Sequence, residues 1–405
     1  MTDWGQRAAT LLDQLAKCSE PGPGVTRLPY TPEHRAALDI LGAAMEDAGL
    51  SVSVDDAGTL VGRHEGPRGS KTLLMGSHQD SVREGGAYDG IMGVVLPILA
   101  LQKLRDENFN LPFSVEVLAF ADEEGVRFPT ALIGSRALAG NFDPTVLSMQ
   151  DGQGITLADA MTSFGLDPDR VGNLRRDPDS LIGFLETHIE QGPFLEREGE
   201  AAGAVTAICG IERHQVEIRG ETGHAGTLPM EGRRDALVGA ASIVSEVDKL
   251  GQGIADLRAT VGALTVWPNV VNAVPRAATM TVELRSPRDE TRCQAGAAIH
   301  EFAKDLAIER NLEITALKTY SQTAQLCDEN MSADLVNAVR KTGARGLTLA
   351  SGATHDASAM ADLCPIAMLF VRCRDGISHK PEEYASPEDM ALATSAISEF
   401  LRSIG

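Results

Sequence analysis

KTLLMGSHQDSVREGGAYDGIMGVVLPILALQKLRD, residues 71–106, decides the fold. It opens on a short apolar run, Leu73 to Gly76, with no polar alternation, as a strand covered on both faces requires. A polar, glycine-rich loop follows and carries His78, Asp80 and Asp89. From Gly90 to Asp106 the chain is predicted helical and buried; its apolar run GIMGVVLPILALQ is interrupted by Pro97 and is too short for a membrane span. The same order recurs when FSVEVLAFA (113–121) leads through DEEGVRFP (122–129) into a helical stretch near 131–139. Strands that alternate with helices and lack hairpin turns predict a mixed, mostly parallel α/β sheet sandwiched by helices. Ligands of such sheets sit at the carboxyl ends of the strands, which places the chemistry in the loops after Gly76 and Ala121.

Outward from this stretch, the chain begins with two amphipathic helices. One covers 3–17, and the second covers about 32–49, with Thr31 as cap, Pro32 in the first turn and Gly49 at the end. SVSVDDAGTLVG (51–62) alternates around a turn and reads as a hairpin. The texture changes near residue 213. HQVEIRG, RDALVGAASIVSEVDKL, RATVGALTV, ATMTVELRS, TRCQAGAAIHEFAKDLAIERN and LEITALKT give β-α-β-β-α-β, the split βαβ pattern of a ferredoxin-like α+β unit. The expected organisation is therefore a discontinuous catalytic domain, 1–212 with 328–405, interrupted by a lid-like domain over 213–327, to which the resemblance given below adds dimerisation. A last helix is predicted at 387–403.

Composition narrows the function. The 405 residues carry 36 Lys+Arg against 57 Asp+Glu, a formal charge of −21, which repels nucleic acid and anionic lipid surfaces. A hydrophobic share of 43% supports a packed core and argues against disorder. Six scattered cysteines without a CxxC pair, no basic-then-apolar leader and no apolar run near 18 residues predict a reduced, cytoplasmic protein without a membrane partner.

Five of the nine histidines, His78, His188, His224, His355 and His379, stand beside small residues or carboxylates. Asp80, Asp89, Glu123 and Glu124 share those settings. Read alone, Asp-Glu-Glu in an acidic chain is a solvated loop, and a histidine at a strand end is structural. Together at strand ends and glycine loops they point to a divalent metal held by imidazole and carboxylate, such as zinc, manganese, cobalt or nickel. A carboxylate beside a glycine can bridge two ions roughly 3.5–4 Å apart. Adjacent Glu123 and Glu124 point in different directions, so one can bind metal while the other acts as general base. Asp80 is placed to orient His78 and fix its tautomer.

The ordered blocks GSHQDSVREGGAYDGIMGV, FADEEGVRF, HIEQGPFLE, GHAGTLPMEGRRDAL, PNVVNAVP, SGATHDA and GISHKPEE resemble the M20-type binuclear metallohydrolases. Within these, the likeness is to the amidase/hydantoinase/carbamoylase subgroup, which includes N-carbamoyl-L-amino-acid hydrolases and allantoate amidohydrolases. The resemblance implies two divalent ions per subunit, one held by His78, Asp89 and His188, the other by Asp89, Glu124 and His379. Asp89 would bridge them, and Glu123 would be the base that takes a proton from the attacking, metal-activated water. Arg285 would grip a substrate carboxylate, Gln191 and Asn272 would read amide groups, and Gly352, Thr354 and His355 would line the ligand. His224 would reach the site of the other subunit of a homodimer and stabilise the oxyanion. A strained, often cis, peptide is implied after Asp89. Two departures, Thr354 where the subgroup has Gly and Gly223 where it has Asn or Asp, bear on substrate identity.

The function so implied is hydrolysis of the C–N bond of a small, anionic N-carbamoyl (ureido) L-amino acid, a linear amide. Allantoate, ureidoglycolate, β-ureidopropionate and N-acyl or dipeptide substrates are the alternatives on the same scaffold. A non-catalytic binding protein would have lost a ligand or the base, and all six of those residues are present. A nicotinamide enzyme would need a GxGxxG after its first strand, which the chain lacks.

Overall fold

The computed structural model describes residues 3–404. Its contacts divide the chain into two compact units, one of 1–206 with 326–405 and the other of 207–325. The expected boundary at 213 falls inside a strand of the second unit, and that at 327 lies two residues past its end.

The first unit opens with α1 (Trp4–Leu15) and α2 (Pro32–Asp47), capped by Asp3 and Thr31, whose side chains accept from Gln6 and His34 N–H. The hairpin strands β1 (Ser51–Val54) and β2 (Leu60–His64) pair antiparallel. The deciding stretch becomes β3 (Thr72–His78) and α3 (Met92–Asp106), both buried throughout most of their length. β4 (Ser114–Phe120) and α4 (Ile133–Ala139) repeat the unit. After the short α5 (Leu157–Ser163) come β5 (Leu181–Ile189), α6 (Phe194–Glu198) and β6 (Ala202–Ile208).

The second unit holds β7 (Gly210–Arg219), α7 (Ala236–Gly253), β8 (Arg258–Trp267), β9 (Ala277–Ser286), α8 (Asp289–Arg310) and β10 (Glu313–Gln322). Its four-stranded sheet runs β10-β7-β9-β8 with every pair antiparallel. Strand alternation sorts its residues cleanly. Val216, Ile218, Met280, Val282 and Leu284 face inward with Ile243, Val247 and Ile299 of the two helices. On the outer side Leu317 stays exposed. The cis peptide bond among the described residues is Trp267–Pro268, in the turn that follows β8.

The chain then completes the first unit with β11 (Gln325–Leu326), α9 (Glu329–Lys341), β12 (Leu347–Ser351), α10 (Asp356–Met360), β13 (Ile366–Val371) and α11 (Pro387–Ser403). The large sheet has the order β1-β2-β4-β3-β5-β13-β6-β11, with β12 also on β6. Its centre, β4-β3-β5-β13, is parallel, whereas β2 joins β4 and β6 joins β13 antiparallel. The parallel core was the part that unbroken apolar runs announce; the flanking strands turn because a hairpin and a short connection feed them. Leu73, Met75, Val117 and Leu185 share one core cluster with Leu12, Leu41, Leu99 and Phe400 of the covering helices. The carboxyl ends of β3, β4 and β5 lie side by side as a consequence of this register.

Candidate metal centre

Each of those strand ends delivers side chains to one place. His78 is the last residue of β3, Glu123 and Glu124 follow β4, and His188 is the last residue but one of β5. Asp89 sits just before α3, in a loop that turns at Gly90 with φ +66°. A Cβ on Gly90 would lie 2.2 Å from the His78 ring, so only glycine lets the loop pass this close. The Asp89–Gly90 peptide is not cis, contrary to what the resemblance implies. The positive φ of Gly90 makes the turn with the peptide trans.

Among the described residues, three groups of side chains bring ligand atoms within 4.8 Å of one another: His78, Asp89 and His188; Asp89, Glu124 and His379; and His78, Glu123 and Glu124. His78 Nδ1 lies 3.0 Å from the backbone carbonyl of Asp80, and His188 Nδ1 lies 2.9 Å from that of Ile189. A carbonyl only accepts, so each Nδ1 carries the proton and each Nε2 turns a lone pair inward. Those two Nε2 atoms are 3.4 Å apart, and Asp89 Oδ1 lies 3.4 and 3.3 Å from them. Three acceptors converging in a buried site repel one another unless a cation stands among them. The protonation balance reports that demand. Burial alone would lower the His78 pKa, but Asp80 and Asp89 outweigh it and hold it well above the usual value. Burial likewise opposes charge on Asp89, yet His188 and His78 keep its carboxyl well below the usual carboxylate range.

Asp89 Oδ2 faces the second group, 3.6 Å from His379 Nε2, and accepts from Gln191 Nε2 at 2.7 Å and Ser378 Oγ at 2.6 Å. Glu124 Oε1 is 3.8 Å from His379 Nε2 and is buried without a hydrogen-bond partner. Such an orphaned oxygen beside an imidazole and a shared carboxylate is the donor set a divalent ion takes. The residues present therefore fit metal ions, with Asp89 common to both sets. His379 and Gln191 reach in from left-handed backbone, φ +59° and +56°.

Asp80 does more than orient His78. Its Oδ1 accepts from Glu123 N–H at 3.1 Å and its Oδ2 from Glu124 N–H at 3.2 Å, while its contact with His78 Nδ1 is longer, 3.6 Å. The tautomer of His78 is set by the Asp80 carbonyl, and the Asp80 carboxylate aims the two glutamates. Burial pushes the Glu123 carboxyl well above the usual range and that of Glu124 up to about 8.

The remaining sequence candidates divide by place. His355 is fully buried, its Nε2 2.7 Å from Ser351 Oγ and its ring edge-on to His188 at 4.6 Å, so it supports a ligand from behind. Thr354 is half-buried and Gly352 exposed on the same loop. In the second unit, the His224 and Asn272 segments pair: Ala225 N–H donates to the Asn272 carbonyl, and Val274 N–H to that of Gly223. His224 is exposed there. Arg285, on β9, donates from Nε to Glu283 Oε1 at 2.8 Å. Sequence reasoning missed Ser378 and Glu383, which touch Asp89 by side chain and by backbone; Glu383 lies in the quoted GISHKPEE block but is adjacent to nothing that marks it.

A parallel-centred α/β sheet gathers imidazoles and carboxylates at its strand ends, a donor set that fits divalent metal ions. Residues 74–403 match the model of peptidase family M20/M25/M40, and the chain belongs to that family. It is 39% identical over 395 residues to an N-carbamoyl-L-amino acid amidohydrolase of Geobacillus stearothermophilus, covering 97% of both chains. An allantoate deiminase of Arabidopsis thaliana is 36% identical, over 98% of this chain and 82% of that protein. The crystal structure of an amidase of the hydantoinase/carbamoylase family from Burkholderia multivorans superimposes with a TM-score of 0.92 at 32% identity, covering 98% and 97% of the two chains. The chain is an amidohydrolase, acting on carbon–nitrogen bonds of non-peptide amides. None of its helices is long and apolar enough to cross a membrane, among the residues described.

Proposed function

We propose that the chain hydrolyses the carbamoyl C–N bond of N-carbamoyl L-amino acids, with two divalent ions sharing Asp89. The observation that carries this reading is the pair of ligand groups with one carboxylate in common. His78, Asp89, Glu124, His188 and His379 would hold the ions, which when bound would supply polarisation of the scissile carbonyl and a lowered pKa for the attacking water. Glu123, buried and within reach of His78 and Glu124, takes a proton from that water at its carboxylate and passes it to the leaving nitrogen. Asp80 keeps Glu123 and Glu124 apart in aim by binding both backbone N–H groups.

Arg285, whose guanidinium Glu283 holds on β9, binds the substrate carboxylate. Gln191, Asn272, Gly352, Thr354 and His355 frame the ureido and amide groups. His224 serves the site of a second copy of the chain, where its imidazole stabilises the oxyanion. Exposed Trp267, Val270 and Val271 beside Asn272 give the inserted unit an apolar surface on which such a dimer can form. The likeness to an allantoate deiminase makes allantoate the second substrate to consider, since it too joins a ureido group to a carboxylate.

The test is release of ammonia or of a free amine by the protein reconstituted with zinc, manganese, cobalt or nickel. Its substrates are N-carbamoyl amino acids, allantoate, ureidoglycolate, β-ureidopropionate and N-acyl amino acids. Fastest turnover is expected on an N-carbamoyl L-amino acid. Turnover confined to N-acyl amino acids or to allantoate would reject the carbamoyl assignment.

A further inference from the structure

We infer that Glu383 is a positioning residue that clasps the loop carrying Asp89 to the loop carrying His379, and so sets the geometry of both proposed metal sites; this rests on the metal-centre reading above. Glu383 is buried, and one of its oxygens, Oε1, accepts from the backbone N–H of Tyr88 and of Asp89, both at 2.9 Å. The partners are 294 residues apart in sequence for Asp89, so this carboxylate ties together chain segments that nothing local would hold. The Asp89 loop makes room for it. A Cβ on Gly86 would fall 2.2 Å from both Cδ and Oε1 of Glu383 and 2.4 Å from its Cβ, so Gly86 is small where the carboxylate enters. Gly86 does not have the positive φ that would itself demand glycine. Steric room for Glu383 is the reason on view.

From the other end, Glu383 is four residues past His379 in GISHKPEE, and its own N–H donates to the Lys380 carbonyl at 3.1 Å in the turn between them. Ser378, beside His379, donates to Asp89 Oδ2. The two loops therefore meet twice, once side chain to backbone through Glu383 and once side chain to side chain through Ser378. Buried N–H groups that lose their acceptor are costly to leave unpaired, so the loop would shift to find other partners and Asp89 would move with it. Partners of this kind change metal affinity by about 10- to 100-fold when removed.

Three variants separate reach from charge and bulk. Glu383→Gln keeps an oxygen acceptor at the same reach; Glu383→Asp keeps the charge but withdraws the acceptor by one methylene; Gly86→Ala leaves Glu383 in place chemically but displaces it. Zinc affinity is measured by competition with a chelator, and hydrogen exchange at the Tyr88 and Asp89 amides is followed in the metal-free protein. The expected result is affinity within about threefold of wild type for Glu383→Gln, and a loss of about tenfold or more, with faster exchange at both amides, for Glu383→Asp and Gly86→Ala. Affinity within twofold of wild type in both of the latter, or a loss in Glu383→Gln as large as in Glu383→Asp, would overturn the inference. If Glu383→Asp does not fold, Gly86→Ala and Glu383→Gln decide alone. A wild-type protein that binds no zinc would instead overturn the metal-centre reading, and the amide exchange would still report on the clasp.

Discussion

Glu123 and Glu124 leave the end of β4 side by side, and Asp80 holds both by the backbone N–H. Glu124 turns an unpartnered oxygen toward His379, and Glu123 turns toward His78. Replacing Glu123 by Gln keeps shape and removes the proton acceptor. Metal content should stay at the wild-type level while turnover falls on the order of 100-fold or more, read as metal per chain and as initial rate on the same sample. Near-normal turnover with metals bound would show that Glu123 is not the base. At this scale the sequence singled out His78, Asp89, Glu124, His188 and His379 by residue type and motif, and the structure brings their side chains together. The sequence was silent where the role is acceptance from a distant backbone. Asp80 could be linked to His78, two residues away, but not to the amides of Glu123 and Glu124, and Glu383 could not be linked to Asp89 at all, because no pattern in a chain records which backbone N–H a carboxylate will meet.

Among the elements, α2 places a titratable group in the core. His34 lies in its first turn, fully buried, with Nδ1 accepting from Tyr30 N–H at 2.9 Å and its ring stacked on Phe164 at 4.7 Å. Burial lowers its pKa from 6.5 to about 3. The unfolded chain therefore binds a proton that the folded chain refuses, and stability contributed above pH 6.5 is lost as pH falls toward 3, at about 1.4 kcal/mol per pH unit. His34→Asn retains an acceptor for Tyr30 and does not titrate. In urea unfolding of the metal-free protein, wild type should lose about 2 kcal/mol more than His34→Asn between pH 7 and pH 5. Parallel pH curves for the two would contradict the burial of a neutral His34. Elements were the most legible level. The cap at Thr31, the buried run of α3 and the β-α-β-β-α-β order of the inserted unit all follow from local pattern. The antiparallel flanks of the large sheet did not, since the direction of a strand against its neighbour depends on connections made elsewhere in the chain.

Over the whole molecule, the excess of 21 negative charges lies on a chain whose proposed substrate is an anion. Divalent ions bound by His78, Asp89, Glu124, His188 and His379 would oppose that field locally. Sheet register brings His78, Glu123, Glu124 and His188 to one edge of the parallel core, and Asp89 joins the two ligand groups into one centre. Whether this centre works as a pair is best tested by a single titration. Metal-free protein receives increasing equivalents of zinc or manganese, and ammonia release from an N-carbamoyl L-amino acid is measured at each point. The rate is expected to climb to its maximum at two equivalents per chain. A maximum reached at one equivalent, or no ammonia at any metal content, would contradict a shared two-ion site acting on the carbamoyl group.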